Sequence, residues 1–391
     1  NSKKFINKAK LMSNKSRKRI LVIGVVSSSL INFRGSLLKE LVVSGHDVHV
    51  AANELDQDIR SKKKLLEIGV STHNVSMSRT GVNPFIDLYT LANLIRLYLK
   101  LRPNIVLSYT TKPVIWGGLA ALFFPSTKFF ALITGLGYAF TESVSGKRLL
   151  LKNILQLLYK IGLSHASGVI FQNPDDKNEF LEMKLVSRNT KIKVVNGSGV
   201  NLDDFPIAPF PKAKINFLMI ARLLGDKGVR EYIDAGRILN NQGIKAEFNL
   251  VGPRDTNPDG LTDDEIKSWQ NMDWLQWHGT SKDVRSHYEK NFVYVLPSYR
   301  EGTPRTVLEA MATGRPVITT DTPGCRETVI SELNGFLVPI KNSKELASSM
   351  KKFIDNPELA QRMGKESRAI AEKKYDVNKV NKEMINAMEL D

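Results

Sequence analysis

At 391 residues, with 42% hydrophobic and 25% charged residues, the chain can bury two sizeable cores, and its composition is neither that of a disordered nor of a fibrous protein. A single cysteine, Cys325, excludes an internal disulfide and fits a reducing compartment. The net charge of +16 is uneven: residues 1–200 carry 29 Lys and Arg against 12 Asp and Glu, whereas residues 201–391 carry 27 against 28. An anionic partner is therefore expected for the first half, a phosphorylated lipid at a membrane surface or a nucleic acid, with a solvated basic face as the plain alternative.

Residues 1–18 read as a basic arm, disordered or lying on a membrane surface. The first nineteen residues hold eight Lys and Arg and no acid, and no apolar run with a small-residue cleavage site follows, so a secretory signal is not expected. Ile20-Leu-Val-Ile-Gly-Val-Val is a buried first strand, Ser27 to Gly35 a loop, Leu37 to Val43 a helix ending at Gly45, and His46 to Ala52 a second strand. This succession predicts a doubly wound α/β sheet. No Gly-x-Gly-x-x-Gly marks a nicotinamide or flavin site. A helix over Pro84 to Leu101 leads into the strand before Tyr109-Thr-Thr-Lys-Pro. Val114 to Phe140 carries one charge, Lys128, but Pro125-Ser-Thr divides it into a helix and a strand, so a membrane span is rejected. Thr134-Gly-Leu-Gly-Tyr-Ala-Phe-Thr-Glu forms a glycine-rich loop at a strand end. Lys147 to Leu163 reads as a basic amphipathic helix with more apolar residues than one core-facing stripe needs; core packing accounts for some, lipid contact for the surplus. Asn196 to Phe205, before Pro206, Pro209 and Pro211, reads as the linker.

The second half repeats the strand-helix pattern from Ile215 to Leu337, with Lys344 to Lys374 helical and a last helix from Asn378 to Met388. Arg222 and Lys227 follow a strand in a loop closed by Gly228. An Arg fork and an ammonium can stabilise a departing diphosphate without a metal, although basic pairs at this spacing are common. No Asp-x-Asp stands at a strand end, so no catalytic metal is expected. Phe292 to Leu296 reads as a buried strand and Thr303 as the N-cap of a helix with Pro304 in its first position, ending at Gly314. That turn places Glu301 and the backbone N–H groups of Gly302 to Arg305 at the carboxyl end of a parallel strand, where ligands and anions bind.

Glu301-Gly-Thr-Pro followed by Leu308-Glu-Ala-Met-Ala-Thr-Gly-Arg-Pro-Val, with seven residues between Glu301 and Glu309, resembles the donor-sugar signature of retaining nucleotide-sugar glycosyltransferases of family 4. The resemblance covers nearly the whole chain and is strongest from Ala221 to Glu332. It implies the GT-B arrangement: two doubly wound Rossmann-like domains facing each other across a cleft, here an acceptor domain at 19–205, a nucleotide-sugar domain at 206–374, and a final helix at 375–391 that crosses back. It also implies that Arg222 and Lys227 hold the diphosphate, Glu301 a hydroxyl of the donor sugar, Glu309 the ribose, and Gly302, Thr303, Pro304, Arg305 and Thr306 the β-phosphate. Thr280 meets the uracil through its backbone, and Gly252 belongs to the donor side. Ser28, Ser29, Asn32 and Arg34 lie opposite the donor phosphates, with Lys112, Thr134, Gly135, Tyr138 and Glu142 as further cleft residues. The histidine that many members carry near the Thr134 loop is absent from Lys128 to Gly146, so its role is unfilled or falls to Thr134, Tyr138 or Glu142.

Gly252-Pro-Arg-Asp…Asn257-Pro-Asp and Pro323-Gly-Cys-Arg-Glu-Thr-Val are similar to the branch that extends polyprenyl-diphosphate-linked amino sugars, such as the N-acetylgalactosaminyltransferases acting on undecaprenyl-diphosphate-bacillosamine. The resemblance thus implies transfer of a hexose or N-acetylhexosamine from a UDP-sugar to a lipid-diphosphate-linked sugar, with retention, no cofactor, and peripheral attachment to the inner face of the cytoplasmic membrane. A soluble acceptor, or a nucleotide-sugar epimerase of the same fold, is the alternative. A phosphorylase would need a pyridoxal-phosphate lysine site, for which there is no convincing match. A nucleic-acid binder lacks support, with no zinc spacing, aromatic-basic RNA motif or helix-turn-helix.

Overall fold

The computed structural model describes residues 17–78, 83–136, 147–212, 214–255, 257 and 259–390. It divides into two units, residues 1–195 with 381–391, and residues 196–380. The first contains a seven-stranded parallel sheet: β1 (Arg19–Val26), β2 (Asp47–Asn53), β3 (Ser71–Asn74), β4 (Ile105–Tyr109), β5 (Lys128–Ile133), β6 (Gly168–Phe171) and β7 (Lys191–Val194). Their order is β3-β2-β1-β4-β5-β6-β7. The second unit contains six parallel strands: β8 (Asn216–Ile220), β9 (Glu247–Val251), β10 (Leu275–Trp277), β11 (Val293–Leu296), β12 (Val317–Thr320) and β13 (Gly335–Val338), ordered β10-β9-β8-β11-β12-β13. Each order reverses once, between β1 and β4 and between β8 and β11, and crevices for ligands form at such reversals. The central strands are buried on both faces, which is why they read as unbroken apolar runs.

Three expectations are corrected. Ser27 to Gly35 is not a loop: a helix runs over Ser27–Val43 directly from β1. Ser27 donates its hydroxyl to Asn53 O (2.8 Å), Ser29 Oγ donates to Val26 O (2.6 Å), and these contacts override the poor helix propensity of Ser-Ser-Ser and Gly35. Lys344 to Lys374 is two helices, Ser343–Asp355 and Glu358–Ile370, broken at Asn356-Pro357, because proline disfavours the helical conformation in the residue before it. The helix after Glu301 spans Arg305–Ala312 with Pro304 in the N-cap position; the Thr303 hydroxyl donates to Gly302 O (2.9 Å) and makes no side-chain cap.

The division falls after Val195 rather than after Phe205. Val200 N donates to Tyr375 O (2.8 Å), Val377 N donates to Val200 O (3.0 Å), and Phe205 packs edge-on against Tyr288, so this stretch belongs to the second core. The last helix, Val377–Ala387, starts in the second unit, and its residues from Asn381 onward belong to the first. There Asn381 Nδ2 donates to Ser36 Oγ (3.1 Å), and Glu389 forms ion pairs with Lys128 and Lys191.

Among the described residues no helix is long and apolar enough to cross a membrane. The apolar stretch after Val114 resolves into the helix Thr111–Ala121 and β5, both largely buried. The helix Thr111–Ala121 meets Lys147–Gly162 at Gly118, where a Cβ would collide with the Gly162 carbonyl.

Candidate active site

In the second unit the loops after β8 and β11 meet where the strand order reverses. Gly228 has φ +74°, and a Cβ there would collide with Pro297 O, so only glycine lets the two loops touch backbone to backbone. Tyr299 N donates to Asp226 O (2.8 Å), which fixes the single 3-10 turn Gly225–Lys227 against the loop that carries Glu301. On the far side, Glu301 N donates to Pro323 O (3.1 Å), and a Cβ on Gly324 would collide with Glu301 O. Glu301 is thereby held between two loops.

The result is a tight charge cluster. Lys227 Nζ donates to Glu301 Oε1 at 2.6 Å, and the Ser298 hydroxyl lies 2.9 Å from the same oxygen. Burial pulls the Lys227 ammonium down, but the carboxylates of Glu301 and Asp226 outweigh it, so the group is held cationic above its ordinary range. Burial pushes the Asp226 carboxyl up, against the pull of Lys227; its Oδ1 is buried without a hydrogen bond. Arg222 ion-pairs through Nη1 with Asp255. Cys325, in the supporting loop, is buried, and its thiol is pushed up to about 11, which makes it a structural thiol.

Glu309 lies one helix deeper. It is 6% exposed; Arg305 Nε donates to Oε1 (2.8 Å), and the Tyr288 hydroxyl lies 3.1 Å from Oε2. Burial raises its carboxyl, and the Arg305 guanidinium opposes the rise. Gly252 has φ +151° and backs onto Ala221 O, while its N–H donates to Gly279 O (2.8 Å), so it ties together the loops after β8, β9 and β10. Thr280 follows, exposed at the carboxyl end of β10. The loops and the helix that carry these residues all follow strands of the second sheet, at their carboxyl ends.

In the first unit, β1 and β4 bring Ser29, Arg34 and Tyr109 together: Ser29 Oγ lies 2.6 Å from Tyr109 OH, and the buried Arg34 guanidinium stands 5.2 Å from the Tyr109 ring centre. Ser28, Ser29 and Arg34 sit on the first half of the helix Ser27–Val43, on which Asn32 faces solvent, while Tyr109 ends β4. Lys112 ion-pairs with Asp87 (2.8 Å) and donates to Ser78 Oγ (2.6 Å), a tie between the segments preceding and following β4. Thr134 and Gly135 follow β5, half-buried; Tyr138 and Glu142 lie outside the described residues. Thr110 has φ +68°, rare for a β-branched residue, at the tip of β4. Asp226, Asp255 and Tyr288 were not singled out in the sequence: Asp255 reaches Arg222 because β9 lies beside β8, Tyr288 reaches Glu309 from the preceding helix, and Asp226 carries no motif that separates it from an ordinary loop acid. The five apolar residues Leu149, Leu150, Ile154, Leu157 and Ile161 remain exposed on their helix, and a second exposed group, Phe85, Leu88 and Tyr89, with Phe85 at 82%, opens the helix Pro84–Leu101.

Two parallel Rossmann-like sheets in series, with a cation-carboxylate cluster at the reversal point of the second, define a GT-B protein. The family models described as Glycosyl transferases group 1 and Glycosyl transferase 4-like match residues 201–370 and 19–173. The chain belongs to this glycosyltransferase family. It is 30% identical, over 92% of its length and 95% of the relative's, to the N,N'-diacetylbacillosaminyl-diphospho-undecaprenol alpha-1,3-N-acetylgalactosaminyltransferase of Campylobacter jejuni. It is 26% identical to the capsular polysaccharide biosynthesis glycosyltransferase CapM of Staphylococcus aureus, over 91% and 93%. In fold it is similar to sucrose-phosphate synthase of Thermosynechococcus elongatus (TM-score 0.79, 19% identity, 95% and 98% covered). It is also similar to Anabaena HepE solved with UDP and glucose (TM-score 0.75, 17% identity, 95% and 100% covered).

Proposed function

We propose that this glycosyltransferase moves a hexose or N-acetylhexosamine from a UDP-sugar to a polyprenyl-diphosphate-linked sugar at a membrane surface, with retention of anomeric configuration. The observation that carries the reading is the Lys227–Glu301 contact at the reversal point of the second sheet, a cation and a sugar-binding carboxylate in reach of one ligand. Lys227 and Arg222 stabilise charge on the departing diphosphate, and the start of the helix Arg305–Ala312 faces the β-phosphate. Glu301 takes a sugar hydroxyl and Glu309 the ribose; the latter requires Arg305 to yield one carboxylate oxygen. The departing phosphate receives the acceptor proton, so no separate general base is assigned. The acceptor class follows the Campylobacter relative's name and the charge of the first half.

The test is incubation with a panel of UDP-sugars and a lipid-diphosphate-linked sugar, products read by mass and anomeric configuration by NMR. An inverted product, or no transfer from any UDP-sugar, overturns the proposal. The two glutamates are expected to fail differently. Glu309→Ala weakens UDP binding in calorimetry, whereas Glu301→Ala keeps UDP affinity and loses turnover; equal UDP affinity in wild type and both variants removes Glu309 from the ribose.

Membrane attachment is expected to be reversible, since each Lys or Arg near an anionic leaflet contributes about 1 kcal/mol and exposed apolar side chains add to it. In liposome co-sedimentation the protein should pellet with anionic vesicles at low salt and be released at high salt. Leu150→Glu with Leu157→Glu, and removal of residues 1–18, should each weaken pelleting. A protein that stays in the supernatant, or that uses a lipid-free acceptor equally well, belongs to the soluble-acceptor alternative.

A further inference from the structure

Both cations of the second-unit site are engaged by carboxylates of the same chain, but the two pairs differ. Glu301 is fixed by Lys227, Ser298 and the Pro323 carbonyl. Asp255 comes from the loop after β9, and only the parallel pairing of β8 with β9 brings it to Arg222. The Arg222 side chain is 37% exposed and that of Asp255 11%, so the guanidinium opens to solvent while its partner does not. Asp255 Oδ1 accepts the Asn257 N–H (3.0 Å), which leaves Oδ2 for Arg222. The loop is folded hard on itself: a Cβ on Gly260 would collide with Asp255 O. Close by, Asp259 Oδ2 accepts the Asp226 N–H (2.6 Å), and Asp226 in turn feels Lys227, Glu301, Asp259 and Arg222. Asp255 and Glu301 thus each hold one of the two cations, and a diphosphate entering this site exchanges with a carboxylate rather than filling an unpaired cationic hole.

We propose that Asp255 is a positioning residue that holds the Arg222 guanidinium before the donor binds and takes it back as the diphosphate leaves, so that its charge weakens UDP binding and speeds UDP release. This rests on the reading of Arg222 and Lys227 as the diphosphate contacts. Asp255→Asn keeps the acceptor for Asn257 N–H and the side-chain shape while removing the charge.

The experiment measures UDP and uridine binding to the full chain by calorimetry, and UDP dissociation by stopped flow. Asp255→Asn should bind UDP roughly five- to tenfold more tightly, mainly through slower dissociation, with uridine affinity unchanged because uridine carries no phosphate. Asp255→Glu should return both values toward wild type. In an Arg222→Ala background the Asp255→Asn gain should vanish. If Arg222→Ala weakens UDP binding but Asp255→Asn leaves it unchanged or weaker, the proposal falls and the donor reading stands. If Arg222→Ala binds UDP as wild type does, the donor reading falls and the proposal with it. Tightening that is equal for UDP and uridine also overturns the proposal, since a charge exchange acts on phosphate alone.

Discussion

Lys227→Ala is expected to lower turnover on the order of a hundredfold or more, with UDP-sugar affinity reduced less than turnover. The ammonium is held by Glu301 and backed by Asp226, and in the proposed reaction its charge is most needed as the diphosphate becomes a leaving group. Removing it also leaves Glu301 without its cation in a half-buried position, so Lys227→Ala and Glu301→Ala should be strongly non-additive, the double variant losing little beyond the worse single one. Lys227→Arg should recover only part of the rate, because a planar fork does not fit the contact made by a point charge. Chelation by EDTA should change the rate of the wild type little. Activity lost to EDTA and restored by manganese would sink the metal-free reading, and a Lys227→Ala enzyme within a few fold of wild type would remove the lysine from the reaction.

The second large effect is on stability. Arg315 is 1% exposed and ends in backbone acceptors: Nε donates to Tyr288 O (2.9 Å), Nη1 to Ala208 O (3.0 Å), and Nη2 to Pro209 O (2.9 Å) and Glu289 O (3.2 Å). Its guanidinium stands 4.5 Å from the Phe210 ring centre, and burial lowers it to about 10. It pins the proline-rich stretch at 208–210 to the second core. Arg315→Met fills a similar volume but leaves four carbonyls without their donor, an expected loss of about 3–5 kcal/mol. Urea unfolding followed by tryptophan fluorescence tests this, since all four tryptophans except Trp116 lie in the second unit. A midpoint unchanged in Arg315→Met would show that the clamp contributes nothing.

Arg315 also shows how far the sequence could be read. It lies inside the stretch from Glu301 to Val317 that resembles a donor-site signature, yet its side chain serves the scaffold. The strands on both sides of that stretch were legible because a parallel strand covered on both faces has to be apolar along its length. The turn between them was legible from Gly302, Pro304 and Gly314. By contrast, Ser27 to Gly35 carries the composition of a loop, and only contacts to Asn53 and Tyr109, 26 and 80 residues away, make it a helix. The break at Asn356-Pro357 did carry a local signal in the proline. The Arg222–Asp255 pair carried none, because its spacing of 33 residues becomes a contact only once β9 lies beside β8.

The first unit is assembled from the two ends of its chain segment, with 196–380 inserted between residues 1–195 and 381–391. On the ribosome the unit must therefore wait for its last piece, although all seven of its strands are already made. At ordinary elongation speeds the inserted unit takes roughly ten to forty seconds to synthesise, long enough for it to fold while its predecessor still lacks a piece. During that interval Lys128 and Lys191 have no Glu389 between them, and Ser36 has no Asn381. The unit made first is the one completed last, so a nascent chain stalled just after Val380 presents a whole second unit joined to a basic first unit that still lacks its final segment.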